Sequence, residues 1–205
     1  MDARKRRFAR LLTPFNADVS AQNMKMWRQL GSKKLVQDRW LSLRADSCEL
    51  PNGHIVDPYY VIEDAEWVHV FAQDCEDRVL IVRQYRYAAN AECAELPGGV
   101  VEPDETSLTA ARRELQEETG FIADEWIKVG KVFANPARQT NAIHIYLASG
   151  LSAQNDQQLD ESEAITFEFA SVNDIKTMIE KGEFSQSLHI ASFYMSLEAM
   201  SRAAR

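Results

Sequence analysis

The stretch ARRELQEETGF, Ala111 to Phe121, sets Glu114, Glu117 and Glu118 on what reads as a helix. Successive helical residues turn by about 100°. Glu114 and Glu118 then project together, one turn apart, beside an apolar stripe of Leu108, Ala111 and Leu115. Glu117 lies further round on the same side. Like charges at i and i+4 cost an isolated helix roughly 0.2–0.5 kcal/mol, so the acids repel unless something positive sits among them. A helix that buries Leu115 and aims its carboxylates along a cleft edge suits a hard divalent cation with oxygen ligands, Mg²⁺ or Mn²⁺. The helix is expected from about Glu105 to Thr119. Asp104 or Thr106 would be its N-cap, and Gly120 would take the left-handed position that ends it.

Upstream, Gly98 and Gly99 permit a tight turn and a close backbone approach to a ligand. A carbonyl there would add an oxygen ligand. Arg113 has two acids in reach, Glu117 at i+4 and Glu105 behind it, and such a pair would hold a carboxylate in orientation. A glutamate-rich helix is ordinarily a solvated surface helix. The wider spacing is more specific: Gly99, five residues, Glu105, seven residues, Arg113-Glu114-Leu115, one residue, Glu117-Glu118, one residue, Gly120-Phe121. All nine fixed positions, over 23 residues, match the Nudix box. The chain resembles the Nudix hydrolases.

That resemblance implies an α/β (α+β) fold, an α/β/α sandwich on a mixed sheet, and cleavage of a diphosphate linked to another moiety. It makes Glu114, Glu117 and Glu118 metal ligands together with the Gly98 carbonyl, and Arg113 and Glu105 an orienting ion pair. Four further stretches resemble the ADP-ribose pyrophosphatases and related nucleoside-diphosphate-sugar hydrolases: VRQYRYAA from Val82, FANPARQTN from Phe133, LDESEAI from Leu159 and IEKGEFSQSLHIASFYM from Ile179. They imply a loop glutamate, Glu161 or Glu163, that activates the attacking water. Arg86 would meet the phosphates or the terminal ribose, Trp40 would stack on the base, and Gly99 and Pro136 would line the substrate. A homodimer with Leu35–Glu63 near its interface is also implied. Each of these has a bland counterpart: a solvated loop acid, a surface arginine, a core tryptophan, a turn proline. Two other functions fit the same box, a house-cleaning nucleoside triphosphate pyrophosphatase and a sensor that binds ADP-ribose without turnover.

Residues 1–34 read as an N-terminal extension. The first twelve, MDARKRRFARLL, form a short amphipathic helix or a tail, and Met24, Trp27 and Leu30 share helical spacing. Residues 35–64 read as an antiparallel strand extension: LVQDRWLSLRADSCEL and HIVDPYYVIED are one hairpin about Asn52-Gly53. The hydrolase domain is expected over 65–205. Its strands fall in EWVHVFAQD and in RVLIVRQYRY, whose VLIV run is buried on both faces. A short strand in AECAEL precedes a glycine-rich loop. Strands follow at Trp126–Phe133, Ala142–Ala148 and Ala164–Ala170, with helices at Val172–Lys181 and from about Ser185.

The 205 residues are 45% hydrophobic and 26% charged, with a net charge of -8. That balance argues against nucleic acid as the main partner, while a bound metal can still invert the field for a small anion. No Walker A lysine, GxGxxG or GxSxG motif is present. Cys48, Cys75 and Cys93 form no CxxC pair, and no apolar run reaches the roughly 18 residues of a membrane span. The expectation is a cytoplasmic enzyme with a small nucleotide substrate and no membrane partner. His54, His69, His144 and His189 lack metal-ligand spacing and read as strand and helix residues.

Overall fold

The structure, a computed structural model, describes residues 26–161 and 163–203. The readings of residues 1–12 and of Met24 lie outside the described residues. The chain divides into two compact units, one of residues 26–66 and 132–142, the other of 67–131 and 143–203.

The smaller unit is an antiparallel sheet of β1 (Arg28–Gln37), β2 (Ser42–Glu49) and β3 (Ile55–Ile62) in that order. The hairpin turns where expected: Gly53 has φ 83°, and the His54 N–H donates to Asn52 Oδ1 at 3.0 Å. The single strand expected over Leu35–Leu50 is instead two. Asp38 Oδ1 accepts the N–H of Trp40 at 2.7 Å and of Leu41 at 2.8 Å, an Asx-type turn that ends one strand and starts the next. β1 reaches back to Arg28, through residues whose spacing reads as helical. All of β1 is exposed, so no buried face imposes the alternation by which a strand is recognised. Residues 132–142 are stitched to β3. The Ile62 N–H donates to Arg138 O at 2.7 Å, and the Thr140 N–H donates to Ile62 O at 3.1 Å.

The larger unit is a mixed sheet of β4 (Trp67–Gln73), β5 (Val79–Arg86), β6 (Ala91–Glu95), β7 (Gly98–Val100), β8 (Phe121–Phe133), β9 (Ala142–Ala153) and β10 (Ile165–Ala170). The path runs β10-β5-β4-β9-β8, with β6 on β5 and β7 on β4. β4 is parallel to β9 and antiparallel to β5 and β7. Among the described residues three α-helices accompany the sheet: α1 (Ser107–Thr119), α2 (Val172–Lys181) and α3 (Ser187–Ala203).

The alternation within WVHVFAQ places two of these helices. Val68, Val70 and Ala72 point one way and share a buried cluster with Ala110, Ala111 and Leu115 of α1. His69 and Phe71 point the other way, toward α3. The Phe71 ring lies 5.9 Å from that of Phe193, and the His69 ring stacks on His189 at 3.7 Å. Helices on both faces of a mixed sheet make the expected α/β/α sandwich. Burying each large aliphatic side chain contributes about 1.5–3 kcal/mol. Val79 to Val82 are at most 2% exposed, as a strand covered on both faces requires.

Helix α1 starts at Ser107, two residues later than expected, because Thr106 is its N-cap. Thr106 Oγ1 accepts the Thr109 N–H at 3.2 Å. Gly120 ends the helix at φ 73° and donates to Gln116 O. The loop expected after AECAEL is in part strand β7. A Cβ on Gly98 would lie 2.0 Å from the Val68 carbonyl oxygen, so this glycine serves close strand pairing. No helix among the described residues is long and apolar enough to cross a membrane.

Candidate active site

The carboxylates of α1 meet the Leu96–Val100 segment at Gly98, through its N–H, and at Gly99, which has no side chain to displace Glu114. Glu118 is 5% exposed. Its Oε2 accepts the Gly98 N–H at 2.9 Å. One turn back, Glu114 lies so close to Gly99 that a Cβ there would stand 2.3 Å from its Oε1. Burial pushes the Glu114 carboxyl up to about 7, with Arg113 pulling the other way and Glu117 and Glu163 adding to the rise. Burial also raises the Glu118 carboxyl well above the ordinary carboxylate range. The Gly98 bond opposes that shift, Glu114 and Glu163 reinforce it, and Arg86 opposes it.

Arg113 is the positive centre of the cluster. Its Nη1 donates to Glu114 Oε1 at 2.8 Å and to Glu117 Oε2 at 2.9 Å. Its Nη2 donates to Glu105 Oε1 at 2.7 Å and to the Val100 carbonyl at 2.9 Å. Both partners read for it in the sequence, Glu117 and Glu105, are therefore engaged at once. The hydrogen bond from Arg113 holds the Glu105 carboxyl below its usual range.

Among the described residues no three His, Cys, Asp or Glu side chains stand ready-gathered as a metal group. Arg113 Nη1 bridges Glu114 and Glu117. The donor set still fits a hard divalent cation. It is all oxygen, Glu118 is buried and Glu114 half-buried, both with raised pKa values, and the charge of Glu163 acts on both.

The loop glutamates differ. Glu163 is the one whose charge is felt at Glu114 and Glu118. Its own carboxylate accepts the Asp160 N–H at 3.1 Å. Glu161 is exposed on the same turn. Arg86 is more than a surface arginine. Nε and Nη2 hold the two oxygens of Glu95 at 3.0 and 2.5 Å, and its charge acts on Glu118. Trp40 and Pro136 belong to the smaller unit. Trp40 is 76% exposed, so the core reading fails for it, and the Arg39 guanidinium lies 4.0 Å above its ring. Pro136 is exposed in the turn held by Asn135 O.

Sequence reasoning missed Glu95. It is 1% exposed, a charge buried on a strand between apolar neighbours, and that placement was its only signal. His69 and His189 are strand and helix residues, as expected, yet both are buried against this acid or each other.

Comparison with known proteins places this geometry. A NUDIX domain model matches residues 64–190, and a nucleoside diphosphate sugar hydrolase N-terminal domain model matches residues 27–62. The chain is 26% identical over 157 residues to an ADP-ribose pyrophosphatase of Bacillus subtilis, spanning 76% of this chain and 84% of that protein. It is 29% identical over 165 residues to an ADP-ribose pyrophosphatase of Mycobacterium tuberculosis, spanning 79% of each. Its fold is similar to that of a crystal structure of an ADP compounds hydrolase, with a TM-score of 0.77 at 18% identity, over 89% of this chain and 98% of the other.

Proposed function

The chain belongs to the Nudix family, and from that premise we propose that it hydrolyses the diphosphate bond of ADP-ribose or a related nucleoside diphosphate sugar. The products are a nucleoside monophosphate and a sugar phosphate. The observation that carries the reading is the pair of half-buried Glu114 and buried Glu118, set against Gly99 and Gly98, with Glu114 held by Arg113. The N-terminal domain match to residues 27–62 supports the sugar-nucleotide class over nucleoside triphosphates.

Glu114, Glu117 and Glu118, with the Gly98 carbonyl, would hold Mg²⁺, and Mn²⁺ suits the same oxygens. When bound there, such a cation would supply neutralisation of phosphoryl charge and a more acidic water. Arg113 keeps the carboxylates of Glu114 and Glu117 oriented and is itself held by Glu105. Glu163 joins the acidic cluster, and Glu161, exposed on the same turn, takes the proton of the attacking water. Arg86 presents its guanidinium to the diphosphate. Trp40 offers an exposed ring to the base, and Gly99 and Pro136 line the substrate.

The exposed apolar residues Trp27, Leu30, Leu35 and Val36 on or beside β1 support a homodimer built on the small sheet. We assign residues 35–64 to that strand extension and 65–205 to the hydrolase domain, and we place the enzyme in the cytoplasm.

A substrate panel tests the function. ADP-ribose, GDP-mannose, UDP-glucose and an oxidised deoxynucleoside triphosphate are incubated with Mg²⁺ and the products identified. A monophosphate and a sugar phosphate from ADP-ribose or a nucleotide sugar is the expected result. Turnover confined to the triphosphate would overturn it, and binding of ADP-ribose without products would mark a sensor.

A further inference from the structure

The four residues Glu95-Leu96-Pro97-Gly98 bind in four directions. Glu95 grips Arg86 through both carboxylate oxygens. The Leu96 N–H donates to His189 Nδ1 at 3.1 Å. The Pro97 carbonyl accepts the Val70 N–H at 2.8 Å. Gly98 donates to Glu118. Only two residues, Leu96 and Pro97, thus separate the anchor of the arginine from the anchor of the most buried acid of the cluster, and both are fixed, to α3 and β4.

Glu95 is held from behind. Because His189 Nδ1 accepts from the Leu96 backbone, the proton of the neutral ring sits on Nε2, which faces Glu95 Oε2 at 3.4 Å. His69 stacks on that ring at 3.7 Å and is fixed in turn by Ser192 Oγ at 2.9 Å. With Nε and Nη2 of Arg86 taken by Glu95, its Nη1 has no partner among the described residues. The Arg86 side chain is 42% exposed against 1% for Glu95.

We infer that Glu95 is a positioning residue: it fixes the Arg86 guanidinium by two bonds so that the Nη1 edge is presented to the substrate diphosphate beside Glu118. This rests on the proposed diphosphatase activity and on Arg86 as a phosphate contact. A bidentate carboxylate fixes both place and plane of a guanidinium, so its loss should weaken substrate binding through Arg86 and through nothing else.

A double-mutant cycle with ADP-ribose at saturating Mg²⁺ tests this. R86A and E95Q should each raise KM roughly tenfold or more while kcat changes less. The R86A/E95Q enzyme should match R86A alone. Multiplying effects in the double variant, or a KM for E95Q within twofold of the parent, would overturn the role of Glu95. An R86A enzyme with parental KM would instead overturn Arg86 as the phosphate contact, and a parent inactive on the whole substrate panel would overturn the activity itself. E95D, which keeps the charge on a shorter arm, runs the same cycle if E95Q does not purify folded. It should retain a KM between those of the parent and E95Q.

Discussion

At the scale of residues, the candidate site is a set of acids that folding alone would disfavour. Glu118 is buried and Glu114, one turn away, is half-buried, and their raised pKa values record the cost of that placement. Arg113 offsets part of it by bonding Glu105, Glu114 and Glu117 together. The two loop glutamates should separate in the Mg²⁺ requirement. E163Q is expected to raise the Mg²⁺ concentration for half-maximal rate by roughly tenfold. E161Q should leave that concentration unchanged and lower kcat by about 10²-fold or more. A Mg²⁺ titration of both variants checks this, and the opposite pattern would exchange their roles. Arg113 and the glutamates of α1 were legible in the sequence because helical spacing brings them together, and Glu105, which precedes the helix, because it stands at a fixed position of the box. Glu95 was not, because its partners Arg86 and His189 come from a neighbouring strand and a distant helix.

At the scale of elements, α1 is held to the sheet by Leu115, which is fully buried in the cluster with Val68 and Val70. Leu115→Ala should cost about 2–5 kcal/mol of stability, read by urea unfolding. Thr106→Ala removes the N-cap bond and should cost about 0.5–2 kcal/mol. Helix α3 adds an acid sensitivity through His189. Complete burial pushes its imidazole down to about 3, with the Arg86 charge adding to the fall. In the folded state the ring therefore stays neutral, whereas the unfolded chain takes up a proton near 6.5. The associated stability is present above about pH 6.5 and is lost as pH falls from there toward about 3. Between pH 8 and pH 5 the urea midpoint of the parent should drop relative to that of H189Q, while a parallel response would remove His189 from the account. Periodicity revealed α1, β4 and β5 because each has a buried face. It failed at β1, where no residue is buried, and at β7, where two glycines, Gly98 serving close strand pairing and Gly99 leaving room for Glu114, read as a loop.

At the scale of the whole molecule, the mixed sheet with helices on both faces was expected from the resemblance to the Nudix hydrolases, and the apolar stripe of α1 marked one of those helices. The division into units was less legible, because residues 132–142 join the small sheet across a long interval of chain. The exposed apolar residues of that sheet lead to an assembly prediction. Light scattering at micromolar concentration should give the mass of two chains, and W27S combined with L35S should shift it toward one. A parent of monomer mass would remove the dimer. The central claim is that the acids of α1 serve diphosphate hydrolysis, and Glu118→Gln tests it most directly. It keeps the shape of the side chain and removes its charge. With ADP-ribose at saturating Mg²⁺, the account predicts a fall in kcat of roughly 10²-fold or more in a protein that remains folded. Activity within a few-fold of the parent would contradict it.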